Sequence, residues 1–305
     1  MIREWRYDPR IEEQAFRDVT NPIVLAAVRA WIESAPRRPF FLFIHLWDVH
    51  HDYIPPPPYD ALFREGTTAR PGDGSREDLI SRYDGEIRWT DATLAAIFEA
   101  LDRRGLKDRS ILLVTADHGE AFFEHGHHGH RFTLHDEEVR VPLLVRYPGR
   151  LPAGLCIEPP VSLIDIAPTL LDLAGLPPLP AALGRSLVPL LEAAGTSATW
   201  KERPAISEFR DHRQMLALRL ERWKLIADLT SGTVQVYDLE RDPGEHSPLG
   251  AADPSVPAAA LAAHWERTVR QLDAAAARLP VPQTRDWTGL PEVHRRHLRS
   301  LGYLR

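Results

Sequence analysis

Histidine is the residue type that offers the most chemistry in this chain, because six of its 14 histidines fall within residues 118–135. An even spread would place about one histidine in a window of that length. Imidazole ligates divalent metal ions and transfers protons near neutral pH, so this density favours a metal or acid–base site. The six are His118, His125, His127, His128, His130 and His135.

An aspartate precedes the first of these histidines, and the Asp117-His118 pair directly follows the apolar run at residues 111–116. Neighbouring side chains point to opposite faces in a regular strand, but both can converge where the chain turns at a strand's end. A carboxylate and an imidazole suit several divalent ions without discriminating between them. Two ligands do not complete a site, and a solvated Asp-His-Gly turn explains the same spacing.

A second histidine group, His45, His50 and His51, lies at or beyond the end of another apolar run, residues 40–47. From there His50 could donate to an anionic oxygen or protonate a leaving group, although a surface loop histidine is the alternative interpretation. Open α/β sheets bind ligands at the carboxyl ends of their strands. We therefore expect both histidine groups to face one crevice.

Histidine and glycine are interspersed over residues 125–130, a pattern with two interpretations. It fits a flexible metal-chelating tract, or a turn that brings one imidazole back to the pocket. Nearby carboxylates, such as Glu120, Glu124 and those at residues 136–138, would lower the cost of charging these histidines. We expect most of them to form only a solvated face.

The elements that must position these residues alternate between helices and apolar strands. Asn21 is the expected N-cap of a first helix, with Pro22 at its first helical position. Ser75 and Asp78 form a predicted capping box at the start of a second helix. The predicted apolar face of that helix comprises Leu79, Tyr83, Ile87, Leu94, Ile97 and Leu101.

Apolar runs at residues 40–47, 111–116 and 141–145 are typical of strands buried in a parallel sheet. A capping box over residues 162–165 begins a further helix. This alternation predicts the α/β class, a three-layer αβα domain with a mainly parallel sheet.

The pattern changes after about residue 200, where three short strands separated by turns predict a small antiparallel sheet. An alanine-rich helix over residues 257–278 follows it. We therefore predict an α/β domain over residues 1–200, a small β subdomain with a helix over 201–282 and a basic tail over 283–305.

Composition and charge bound the class of protein. With 305 residues, 44% of them hydrophobic and 26% charged, the chain is typical of a globular protein with a sizeable core. Its formal net charge of −6 supplies no basic field for nucleic acid or an anionic membrane, so we expect neither as a partner. The single cysteine, Cys156, excludes an intrachain disulfide framework. No apolar stretch suggests a membrane span or signal peptide, so we expect a cytoplasmic chain unless a leader has been lost.

Together these segments resemble the sulfatase family of the alkaline-phosphatase superfamily, which includes arylsulfatases, choline sulfatases and phosphonate monoester hydrolases. Each segment is weak support by itself, but their order along nearly the whole chain is specific. The segments are residues 40–43, 48–53, 83–87, 113–120, 129–137, 141–143, 162–169, 222–225 and 237–245.

The resemblance implies an alkaline-phosphatase-like fold and hydrolysis of a small sulfate, phosphate or phosphonate ester. It implies that Asp117 and His118 ligate one divalent cation, with Ca, Mn, Mg and Zn all left open. It further implies that His50 contacts the transferred group and that His130, or alternatively His128, touches the substrate or leaving-group oxygen.

Two departures from the family pattern matter. Such enzymes carry a nucleophile in a Cys/Ser-x-Pro-x-Arg motif and an acidic pair of metal ligands after the first strand, and we expect this chain to lack both. Glu158 stands where that motif needs proline after Cys156. We therefore expect an incomplete chain that is inactive alone, with a homo-oligomer or a missing N-terminal segment as partner. The alternative is a non-catalytic metal- or anion-binding remnant of the same fold.

Overall fold

A computed structural model of the chain describes residues 20–34, 39–64, 66, 68–193, 200, 203–210, 213–250 and 253–278. These residues fall into two compact units, one ending at Lys107 and the other beginning at Asp108. Among them, two helices dominate the first unit, and the second unit combines three antiparallel sheets with several short helices and one of 19 residues.

Helix α1, Asn21–Ser34, is capped by a residue distant in sequence. Asn21 is not the N-cap that we predicted, because it is the first helical residue and is fully buried. The Asp48 carboxylate accepts hydrogen bonds from the N–H groups of Thr20 and Asn21, at 2.6 and 2.9 Å, and from the Thr20 hydroxyl. A carboxylate there satisfies otherwise unpaired donors and complements the helix dipole. The buried apolar face consists of Val24, Val28 and Ile32.

Helix α2, Arg76–Arg103, has the predicted N-cap but not the reciprocal Asp78 bond of the predicted capping box. Ser75 is the N-cap, and its hydroxyl accepts from the Asp78 N–H at 3.2 Å. The Asp78 carboxylate pairs with two arginines. The predicted apolar face differs in its middle, where Ile87 is 45% exposed and Glu86 is buried instead. Three predicted members of that face are buried: Leu79, Ile97 and Leu101.

Residues 40–47 are extended, but they pair with no strand in the described part of the chain. The prediction of a buried parallel strand here is wrong for those residues. Exposure alternates along the segment, and Phe41 and Phe43 are 65% and 76% exposed. A strand buried on both faces requires covering elements on both sides, and this segment has one open face.

Strand β1, Leu112–Thr115, and strand β4, Leu143–Arg146, occupy two of the predicted apolar runs. They pair antiparallel, with Leu112 opposite Arg146. All strand pairs among the described residues are antiparallel, so the expected mainly parallel pairing is not found there. The chain between β1 and β4 reverses through a hairpin and a short helix, which brings β4 back in the opposite direction.

The hairpin between these strands consists of β2, Ala121–Phe122, and β3, His128–Gly129. Its turn closes with a hydrogen bond from the Phe123 N–H to the His127 carbonyl at 2.9 Å. The short helix α3, Asp136–Val139, follows and packs closely on the start of the hairpin. A Cβ on Gly119 would lie 2.1 Å from the Glu137 carbonyl oxygen, so only glycine fits there.

Strands β6 to β8 are the three predicted strands of the small antiparallel sheet, and β5 adds a fourth strand that was not predicted; the sheet order is β5-β6-β7-β8. One face packs against the segment that follows the hairpin, in a cluster that includes Leu134, Met215 and Tyr237. The other face packs against Leu261 of helix α6, Ala258–Ala276. The sheet therefore supports the histidine-rich segment directly. The strands are Ala205–Arg210, Gln214–Leu220, Trp223–Asp228 and Thr233–Asp238.

The capping box predicted after residue 161 is confirmed, with Ser162 and Asp165 as its two members. It precedes helix α4, Ile166–Leu173; helix α5, Val188–Glu192, comes later. Asp165 is fully buried and forms two hydrogen bonds with the Arg203 guanidinium, at 2.8 and 2.7 Å.

The predicted basic tail over residues 283–305 lies outside the described residues. The predicted boundaries at residues 200 and 282 stay predictions. No helix among the described residues has the length and apolar character required to cross a membrane.

Candidate active site

Asp117 and His118 lie in the loop that follows β1. The Asp117 carboxylate accepts from the His118 N–H at 3.1 Å, and its other oxygen lies 3.8 Å from Nε2 of the His118 ring. The Asp117 side chain is 80% exposed. The carboxylate and the imidazole therefore converge at the strand's end, as the sequence predicts.

The His118 ring is oriented by the adjacent backbone. Its Nδ1 lies 2.8 Å from the Gly119 carbonyl oxygen, and because a carbonyl only accepts, Nδ1 carries the proton. Nε2 is then the lone-pair nitrogen on the side of Asp117. Metal-binding histidines usually donate their second ring N–H to a carbonyl or carboxylate in this way. The pair thus has the donor chemistry and orientation that a divalent cation requires, although two ligands are fewer than a complete site.

His130 stacks on His118, with ring centroids 4.0 Å apart. Its Nδ1 lies 2.9 Å from the Glu120 carboxylate, which is buried and holds the ring in place. The structure therefore brings together three of the four predicted site residues, Asp117, His118 and His130. His128, the alternative to His130, stacks on Phe123 with ring centroids 5.6 Å apart.

His50, the fourth predicted site residue, belongs to the first unit. Its ring stacks on Trp47 at 4.8 Å, and Nδ1 lies 2.7 Å from the His51 carbonyl oxygen. Nδ1 therefore carries the proton in the neutral ring. A cavity of about 10 Å³ beside it, with room for about one water molecule, is also lined by Glu86.

Glu86 is a buried acid to which we assigned no role from sequence. Burial raises its pKa to about 9, so the side chain is protonated at neutral pH. Its Oε1 lies 2.5 Å from the Ile54 nitrogen and accepts that N–H. Residues 83–87 carry part of the family resemblance, but an acid within an amphipathic helix gave no signal that it would be buried.

The carboxylates near the histidine cluster are not the solvated face that we expected. Glu138 is buried and accepts the backbone N–H groups of Arg131, Phe132 and Thr133, at 2.6, 3.1 and 3.1 Å. It also lies 3.0 Å from Nε2 of His127. Several donors that converge on one carboxylate offset the cost of burying it, which a sequence pattern does not show.

His125 and His135 stack nearly parallel, with ring centroids 3.7 Å apart. Nδ1 of His125 lies 2.6 Å from the Glu137 carboxylate, and Nε2 lies 2.9 Å from the Glu245 carbonyl oxygen. Burial acts to lower the pKa of His125, but these two acceptors prevail and raise it. Burial, together with the neighbouring His125 and Lys224 cations, lowers the pKa of His135 to about 3. The tract is thus a folded hairpin whose rings are fixed by hydrogen bonds.

The expected absence of a nucleophile needs one correction. Cys156 is exposed and lacks the motif, as predicted, but residues 34–38 read Ser-Ala-Pro-Arg-Arg and fit the Ser-x-Pro-x-Arg spacing. Ser34 is the last residue of α1, and its hydroxyl donates to the Trp31 carbonyl at 3.0 Å. The negative end of a helix dipole disfavours an alkoxide, so this serine is poorly placed to attack. Residues 35–38 lie outside the described residues.

Comparison with known proteins identifies the family. The sulfatase family profile matches residues 5–176, more than half of the chain. The chain belongs to the sulfatase family. A second profile, N-sulphoglucosamine sulphohydrolase, C-terminal, matches residues 123–271 of the chain.

Individual relatives agree with this assignment. Arylsulfatase K of Mus musculus is 31% identical over 210 residues, which cover 66% of this chain and 38% of the relative. The chain thus spans well under half the length of such relatives.

Solved structures share the fold. Phosphonate monoester hydrolase of Agrobacterium radiobacter aligns with a TM-score of 0.69 at 24% identity, over 84% of this chain and 61% of that one. The structure of BT4656 in complex with its substrate D-glucosamine-2-N,6-O-disulfate aligns with a TM-score of 0.60 at 26% identity, over 65% of this chain and 42% of that one. The alkaline-phosphatase-like α/β fold is confirmed.

Proposed function

We propose that this chain carries the cation-binding and leaving-group part of a sulfatase active site. The observation that supports the proposal most strongly is the convergence of Asp117, His118 and His130, with the two imidazole rings stacked at 4.0 Å. Asp117 and Nε2 of His118 would hold a divalent cation, which when bound supplies positive charge to the non-bridging oxygens of the ester. The substrate would be a small sulfate ester, with phosphate and phosphonate esters as the alternatives.

His130 would act on the reacting group itself. Glu120 fixes the His130 ring by accepting from Nδ1, so that the ring is already oriented when an ester binds. Because Nδ1 is bound to Glu120, the protonated ring would donate from Nε2 to the leaving-group oxygen as negative charge develops there. The role of His50 is proposed from the family resemblance alone; because its Nδ1 donates to the His51 carbonyl, Nε2 is the nitrogen that would accept a proton.

We propose further that the chain is inactive alone, because its sequence offers no well-placed nucleophile. The nucleophile and the remaining acidic metal ligands would come from residues outside the 305 of this chain. A non-catalytic metal-binding protein of the same fold is the alternative, and it would contain the same Asp117-His118 pair.

Two measurements on the full chain test this proposal. Calorimetric titration with Mn²⁺ and Ca²⁺ should show binding that Asp117→Ala weakens by about 100-fold, whereas the exposed control Asp91→Ala changes nothing. Unchanged affinity in Asp117→Ala would remove the cation site from the proposal.

An assay with an aryl sulfate and an aryl phosphate tests the second part. We expect no turnover above the uncatalysed rate for the chain with added metal. Metal-dependent turnover that Ser34→Ala abolishes would show that Ser34 is the nucleophile after all, and turnover that survives it would place the nucleophile elsewhere in the chain.

A further inference from the structure

We propose that His125, His135 and Glu137 form a second metal site, which binds Zn²⁺ and is separate from the Asp117-His118 pair. One ligand atom from each of these three side chains lies within 4.8 Å of the others. Two imidazoles and one carboxylate are a ligand set that zinc uses in proteins, with a fourth position left for water.

Neighbouring groups hold both histidine rings of this cluster, and His135 must leave one of its two partners to bind an ion. Nε2 of His125 donates to the Glu245 carbonyl at 2.9 Å, which leaves Nδ1 facing Glu137. The two nitrogens of His135 lie 2.7 Å from the Thr133 hydroxyl and 3.2 Å from the Tyr237 hydroxyl. Such outer partners hold ligating histidines in place and set which nitrogen carries the proton.

The position that an ion would take lies at a short contact between two of the ligands. His135, beside that contact, is 7% exposed. The proton between His125 Nδ1 and the Glu137 carboxylate, whose atoms are 2.6 Å apart, occupies the position that a cation would take. Zinc binding would release that proton to solvent.

An ion has an entry path to the cluster. A cavity of about 320 Å³ is lined by both histidines and by Arg213, Met215 and Gln235 of the sheet. This volume has ample room for a zinc-bound water. The rings stack at an angle of 6°, so binding requires His135 to tilt and direct a nitrogen at the ion.

The test uses the full chain with Asp117→Ala as background, so that loss of the first site cannot be confused with loss of the second. We expect calorimetry to show one equivalent of Zn²⁺ bound to this background, and Co²⁺ to give the visible absorption of a tetrahedral site. Adding His125→Ala or Glu137→Gln should weaken zinc binding by about 100-fold. His264→Ala, in helix α6, should leave it unchanged.

Two results would overturn the proposal. One is the absence of a zinc equivalent in the Asp117→Ala chain, and the other is unchanged affinity after Glu137→Gln. Because Glu137→Gln preserves side-chain volume, it decides the question even if His125→Ala disturbs folding, which circular dichroism melts would detect.

Discussion

Backbone carbonyl oxygens determine which ring nitrogen of His118 and of His125 faces the neighbouring carboxylate. Nδ1 of His118 donates to Gly119, and Nε2 of His125 donates to Glu245, so the opposite nitrogens face Asp117 and Glu137. The sequence shows that the histidines are concentrated and that Asp117-His118 follows a strand. It does not show these carbonyls, because their positions depend on the hairpin and on a loop more than 100 residues away.

The buried His135 should make stability depend on pH. Its pKa falls from 6.5 to about 3 in the folded chain, so folding favours the neutral ring. The resulting contribution to the free energy of unfolding is fully present above about pH 6.5 and is lost as the pH falls toward 3. As the pH is lowered through this range, we expect the free energy of unfolding to decrease more steeply than in His135→Gln. The difference between the two slopes is at most about 1.4 kcal/mol per pH unit. Denaturant titrations from pH 7 to 4 would measure it; equal slopes in both chains would contradict the assignment.

Among the elements, strand β7 ties the histidine-rich segment to the C-terminal sheet through one lysine. Lys224 is 1% exposed, and its ammonium lies 2.6 Å from the Asp136 carboxylate and 2.8 Å from the Glu245 carboxylate. Glu245 in turn accepts from the Asp136 N–H at 2.5 Å, and its carbonyl accepts from His125. The sheet, the start of α3 and the hairpin therefore share one buried ionic cluster.

Replacing Lys224 should lower the free energy of unfolding substantially. Lys224→Met leaves the buried Glu245 carboxylate without its cation, and Asp136 keeps only Arg219 at 3.6 Å, which we expect to destabilise the chain by about 3–5 kcal/mol. The matched control is Arg270→Met, since Arg270 pairs at 3.4 Å with Glu266, whose side chain is 68% exposed, and such pairs contribute about 0–1 kcal/mol. Urea unfolding compares the two; equal losses would show that the Lys224 cluster has no special role.

Helices and strands that a local sequence pattern marks could be predicted, but the distant residues and strands with which they pair could not. Ser75 and Ser162 cap helices as predicted, because the capping residues are adjacent in sequence. The cap of α1 comes from Asp48, 27 residues beyond Asn21, and no local pattern reveals it. Apolar runs located β1 and β4 but did not show that they pair antiparallel.

For the whole molecule, several large apolar side chains are uncovered in the residues that the structure describes. Phe41, Phe43 and Leu144 are 65%, 76% and 60% exposed. Exposed apolar patches favour association with another surface. The order of motifs identified the family from sequence, but the exposure of these side chains became visible only in the folded units.

We expect the isolated chain to self-associate through these side chains. Sedimentation velocity over a range of concentrations should show association that Phe41→Ser with Phe43→Ser reduces. A matched control is Val234→Ser, because Val234 is 59% exposed on strand β8. A monodisperse monomer at all concentrations would rule this expectation out.

The most direct test of the proposed sulfatase site follows the histidine side chains by NMR while Mn²⁺ is added to the full chain. Paramagnetic broadening depends steeply on distance, so a cation held by Asp117 and His118 should broaden the His118 and His130 ring signals first. The His264 signal should stay sharp, and Asp117→Ala should abolish the selective effect. Uniform broadening of all histidines, or sharp His118 and His130 signals at saturating Mn²⁺, would contradict the central claim.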